Sequence, residues 1–89
     1  MKTMMMEELG KAADNNRGVY IDKEFNGKTD NISGRLVNVI EDTDGIMLEC
    51  ANDPFMSSVF IWTNDDVDVQ DEDTFCCQGN GVLTYITLL

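Results

Sequence analysis

The side chains with the widest chemical reach in this 89-residue chain are three cysteines, seventeen carboxylates and six bases, and histidine is absent. Cys50, Cys76 and Cys77 are an odd set without metal-type spacing, and no imidazole is present to complete a zinc site. Cys76 and Cys77 are adjacent, so on a strand they point to opposite faces, which favours packing over redox pairing. Without histidine, Ser-His-Asp and Cys-His catalysis are ruled out, and the chain reads as non-enzymatic. Asp42-Thr43-Asp44-Gly45 looks like the opening of a calcium loop, but glycine follows the second aspartate at once and no glutamate occupies the later ligand position. Neither a metal nor a cofactor is expected.

The charges are segregated. All six bases, Lys2, Lys11, Arg17, Lys23, Lys28 and Arg35, fall in residues 1–35 beside six acids, whereas residues 36–89 hold eleven acids and no base. Six of those eleven lie between Asn64 and Asp73. The net charge is -11, so an anionic ligand must be met by the first third of the chain, and the remainder repels it or meets a basic partner.

The elements that must position these groups follow from periodicity. Residues 4–13 read as a short amphipathic helix, with Met5, Met6, Leu9, Ala12 and Ala13 on one face, Thr3 as N-cap and Glu7 paired with Lys11. Asn15-Asn16-Arg17-Gly18 supplies the stop. Alternation then takes over in five strands: Val19–Phe25; Ile32–Ile40, long and bent at Gly34; Ile46–Cys50; Ser58–Trp62; and a short Val67–Gln70. Residues 74–89 form one further hairpin, ending in an uncharged strand from Val82 that needs cover from its own barrel or from another subunit. The fold class is therefore all-β: a small, strongly bent five-stranded barrel at 19–70, an N-terminal helix and a C-terminal hairpin extension, in a single domain over 1–89.

This order resembles the Sm-like (LSm) family. Ile32-Ser33-Gly34-Arg35-Leu36-Val37-Asn38-Val39 followed by Ile46-Met47-Leu48-Glu49-Cys50-Ala51 is similar to the first Sm motif, and Val59-Phe60-Ile61-Trp62-Thr63-Asn64-Asp65-Asp66-Val67 to the second. The resemblance covers roughly residues 4–70. It implies homo-oligomeric rings that bind RNA or single-stranded nucleic acid, the fourth strand of one subunit pairing with the fifth of the next. The chain departs from the family at Trp62 and Thr63, where arginine and glycine are usual, and at Asp44 and Gly45, near the place of a base-contacting asparagine. The loops 41–45 and 63–66 hold five acids and no base.

For a nucleic acid, Trp62 offers a stacking face, Asn64 a polar contact to a base, and Arg35, Arg17, Lys23 and Lys28 the attraction for phosphate. The competing readings are a packed tryptophan, a turn asparagine and strand bases paired with carboxylates. The second reading of the whole chain is an acidic inhibitor or adaptor that docks on a basic nucleic-acid-binding protein. The N-terminal run Met1–Met6, followed at once by Glu7-Glu8, does not read as a signal peptide, and no apolar stretch approaches the roughly 20 residues of a membrane span. A cytoplasmic, intracellular protein without a membrane partner is expected, and its brevity suits a phage or mobile-element gene.

Overall fold

A computed structural model describes residues 2–89; Met1 lies outside the described residues. Helix α1 (Lys2–Asp14) is followed by strands β1 (Gly18–Phe25), β2 (Lys28–Glu41), β3 (Gly45–Asn52), β4 (Phe55–Trp62), β5 (Asp66–Asp71), β6 (Thr74–Gly79) and β7 (Val82–Leu88). The all-β class with one N-terminal helix is what the structure shows. The strand count and connectivity differ from expectation: seven strands form one antiparallel sheet in the order β4-β3-β2-β1-β7-β6-β5, and it does not close into a barrel.

The difference has a physical source in the C-terminal hairpin, which is part of the sheet rather than an extension of it. β7 pairs with β1 from Val19↔Leu88 to Phe25↔Val82, and β6 bridges β7 to β5. In this position Thr84, Ile86 and Leu88 are buried on the concave face beside Val19 and Ile21. An appended hairpin would have left that apolar strand in water, at about 25 cal/mol for each Å2 of apolar surface. With β6 and β7 inserted between β1 and β5, the free edges are β4 and β5. Every neighbouring pair is antiparallel, so β4 and β5 run in the same direction, and the turn at residues 63–65 carries the chain from one edge of the sheet to the other.

α1 packs against β2 and β5, spanning the concave side of the curled sheet. Met5, Leu9 and Ala12 are fully buried there, with Met6 and Ala13 at the margin of the core, as the helical spacing predicts. The helix starts before Thr3, which is therefore a helical residue rather than the N-cap, and Lys11 pairs with Glu8 at 3.4 Å rather than with Glu7. Its end is a Schellman motif. Arg17 N donates to Ala12 O at 2.9 Å and Asn16 N to Ala13 O at 3.1 Å, with Asn16 left-handed at φ 48°.

β2 is long because it serves two neighbours in turn: Lys28–Arg35 pairs with β1, and Arg35–Glu41 with β3. The handover occurs at Arg35, directly after Gly34, and Val37 is skipped in the β3 register, forming a bulge that tightens the curl. Gly34 lies so close to the neighbouring strand that an added Cβ would collide with the carbonyl oxygen of Ala51. Gly34→Ala is expected to lower stability by about 1–3 kcal/mol through this overpacking. Gly10→Ala has the opposite sign, since a Cβ there meets nothing within 4 Å and the helix gains about 0.8–1.0 kcal/mol of propensity. Urea midpoints of the two variants against the parent check both signs.

Candidate nucleic-acid interface

Two hairpin tips build the surface that carries Lys23 and Lys28. Asn26 and Gly27, at φ 52° and 75°, form the turn between β1 and β2; Asn80 and Gly81, at φ 54° and 76°, form the turn between β6 and β7. These are the left-handed pairs that two-residue hairpins require. Because Phe25 pairs with both Lys28 and Val82, the tips lie side by side at one end of the sheet. Between them runs a groove of about 530 Å3 lined by Lys23, Phe25, Lys28, Thr29, Asp30 and Val82. Phe25 is 48% exposed, which is unusual for a phenylalanine on a paired strand.

Lys23 and Val82 also line a second, smaller cleft of about 50 Å3, where they meet Phe60, Trp62, Asp65, Gly79, Asn80 and Thr84. Phe60 and Trp62 stack edge to face with ring centroids 4.7 Å apart, holding the indole at 48% exposure. The turn after β4 is fixed by Asp65, whose Oδ2 accepts a hydrogen bond from Trp62 N at 3.3 Å while its buried Oδ1 has no hydrogen-bond partner. That carboxylate sits against Gly79, where a Cβ would strike Asp65 Oδ1. Gly79 thus lets the β4–β5 crossing lie flat over the tip of β6.

Of the six residues anticipated for this role, the structure unites three. Lys23, Lys28 and Trp62 share the continuous surface formed by the groove and the cleft. Arg17 is elsewhere and is structural: Nη2 donates to Asp73 Oδ1 and Nε to the main-chain oxygen of Leu89, both at 2.9 Å, fastening the end of β7 and the β5–β6 turn to the start of β1. Arg35 pairs with Asp53 at 3.2 Å and lines neither cavity. Asn64 is exposed in the β4–β5 turn and also lines neither. Lys23 and Lys28 make no ion pair among the described residues, so their charge remains available. Sequence reasoning missed Phe25, Phe60 and Val82. The signal for Phe25 was present, since an aromatic directly before Asn-Gly must sit at a hairpin tip.

The acidic loop at residues 41–45 uses its own carboxylate. Asp42 Oδ1 accepts from Asp44 N at 2.7 Å and from Gly45 N at 3.0 Å, an Asx turn that shapes the β2–β3 connection. No group of three or more cysteines and carboxylates among the described residues is placed to hold a metal ion. A further cavity of about 290 Å3 lies behind Trp62, lined by Thr3, Met6, Glu41, Asp42, Ile46 and Thr63. The indole therefore has Lys23 on one side and acids on the other. No helix among the described residues is long and apolar enough to cross a membrane.

Cys76 and Cys77 face opposite sides of β6: Cys77 is buried with its Sγ 3.6 Å from Met5 Sδ, and Cys76 is half-buried. Cys50 is buried on β3, between Leu36 of β2 and Ser57 of β4, and that burial pushes its thiol above the ordinary cysteine value. No family model, curated protein or solved structure matches the chain. A thiol reagent at mildly alkaline pH is expected to modify Cys76 rapidly, and Cys50 and Cys77 only at the rate of unfolding. Mass spectrometry of timed aliquots reads the order, and rapid labelling of Cys50 contradicts the packing described.

Proposed function

We propose that this chain is a non-enzymatic, Sm-like protein that binds single-stranded nucleic acid, RNA foremost, at the paired hairpin tips, and that it works as a self-associating module in nucleic-acid processing or remodelling. The observation that carries this reading is the continuity of Trp62, Lys23, Phe25 and Lys28: two exposed aromatic faces flanking the only described bases without an ion pair. Aromatic faces stack unpaired bases, and the lysines lie where the phosphates would pass. Duplexes present neither exposed base faces nor a strand narrow enough for the groove, so the surface favours single strands. Two lysines per subunit give weak attraction against a net charge of -11. Self-association supplies the missing affinity, because linked weak sites bind at high effective concentration.

A second reading is favoured by the β5 edge, where Asp66, Asp68, Asp71 and Glu72 are all exposed. There the chain would dock on a basic nucleic-acid-binding protein in place of phosphate. Charge reversal separates the two. Trp62 is the single tryptophan, so its fluorescence reports stacking directly. On titration with an oligouridine at low salt, quenching is expected, weakening as salt rises. Lys23→Glu and Lys28→Glu should each weaken binding about tenfold and lower the salt slope by roughly 1. Arg35→Glu should leave it nearly unchanged. If the oligonucleotide produces no quenching and no retention at low salt, the nucleic-acid reading is wrong and the acidic-edge reading takes its place.

A further inference from the structure

We infer that Asp30 is the base-reading residue of the groove at the hairpin tips, and that the base it selects is guanine. The preference rests on the nucleic-acid reading and sharpens it. The registers on either side of β1 set out the groove as an array. Phe25 is directly opposed by Val82 on β7 and by Lys28 on β2, and two residues earlier Lys23 is opposed by Thr84 and Asp30. Directly opposed residues share a face of the sheet, and so do residues two apart on one strand, so these six side chains stand on one face. Asp30 is the diagonal neighbour of Phe25, about 7–8 Å away, a spacing that suits the edge of a base stacked on the ring.

An acid in a groove for a polyanion repels it unless the charge is neutralised or used. Lys23 is the base directly opposite, yet it makes no ion pair with Asp30 and also lines the cleft beside Trp62. The Asp30 side chain is exposed, lines the groove and has no hydrogen-bond or ion-pair partner among the described residues. Both of its oxygens are open to a ligand.

The chemistry of the carboxylate then chooses among the bases. An ionised carboxylate only accepts hydrogen bonds, so its partner must present donors. On its Watson–Crick edge uracil has a single N–H between two carbonyl oxygens, which a carboxylate repels. Cytosine and adenine each present one amino group. Guanine presents N1–H and the N2 amino group side by side, and these match the two oxygens of one carboxylate as a bidentate pair. The guanine O6 beside them finds donors in Lys28 and Thr29, which line the same groove.

The test measures binding midpoints from Trp62 quenching at low salt, with an oligouridine and with the same oligomer carrying one central guanosine. The guanosine-bearing oligomer should bind about tenfold more tightly. Inosine in its place keeps N1–H but lacks the N2 amino group, and should lose most of that gain. Asp30→Asn exchanges an acceptor for a donor at an exposed site. This variant should bind the oligouridine at least as tightly as the parent, because a negative charge leaves the groove, and should no longer distinguish guanosine from uridine. A merely structural aspartate would shift both oligomers together and leave their ratio unchanged. Equal midpoints for the two oligomers in the parent overturn the inference. So does an Asp30→Asn variant that keeps the full guanosine preference, or inosine that binds as well as guanosine. Those results leave the nucleic-acid reading standing, whereas binding by neither oligomer removes both.

Discussion

The pairing of β7 with β1 is the contact on which the rest of the architecture depends. Val82–Leu88 carries no charge and cannot remain in water, and the second edge of β1 is the place where Thr84, Ile86 and Leu88 join an existing core. Once β7 is seated there, β6 must follow it and β5 must follow β6, which pushes β5 two strands away from β1. The sheet therefore stays open, and α1 covers its concave side with Met5 and Leu9. The same pairing brings Val82 beside Phe25 and lays the two hairpin tips together. The groove is thus a consequence of how the last strand is covered. Arg17 secures the arrangement by binding the main chain of Leu89 and the carboxylate of Asp73 from the start of β1.

Local structure was legible because each element announces itself over a few residues. The helix face at Met5, Leu9 and Ala12 is a property of spacing and is found where the pattern places it, and Gly34 lies where its missing side chain is needed, against the main chain of Ala51. Strand adjacency was not legible in the same way. Alternation says that Val82–Leu88 is a strand with one buried face, but the choice between capping a five-stranded barrel and opening it depends on which free edge offers the larger apolar contact. That quantity is set by residues far apart in the chain, such as Ile21 and Ile86, which are directly paired.

The candidate site divides along the same line. Residue type marks Lys23, Lys28, Arg17 and Arg35 as the bases that could meet an anion, and tertiary structure sorts them by whether a carboxylate is in reach. Asp73 lies 56 residues after Arg17, and Asp53 lies 18 residues after Arg35, across the β2–β3 turn. Neither partner follows from sequence spacing. Lys23 faces Asp30 in register and yet makes no ion pair with it, so its ammonium remains available to the groove and to the cleft beside Trp62.

The two free edges are guarded differently against strand pairing. On β5 the inward residues Val67 and Val69 are half-buried while Asp66 and Asp68 point outward, so a second strand approaching that edge meets repulsion before it gains any hydrogen bond. β4 has no such guard, although it is longer and begins with two of the most exposed apolar side chains in the chain. With seventeen acids in the chain and none of them on β4, the edge retains the capacity to pair, and the charge elsewhere limits which surfaces can take part.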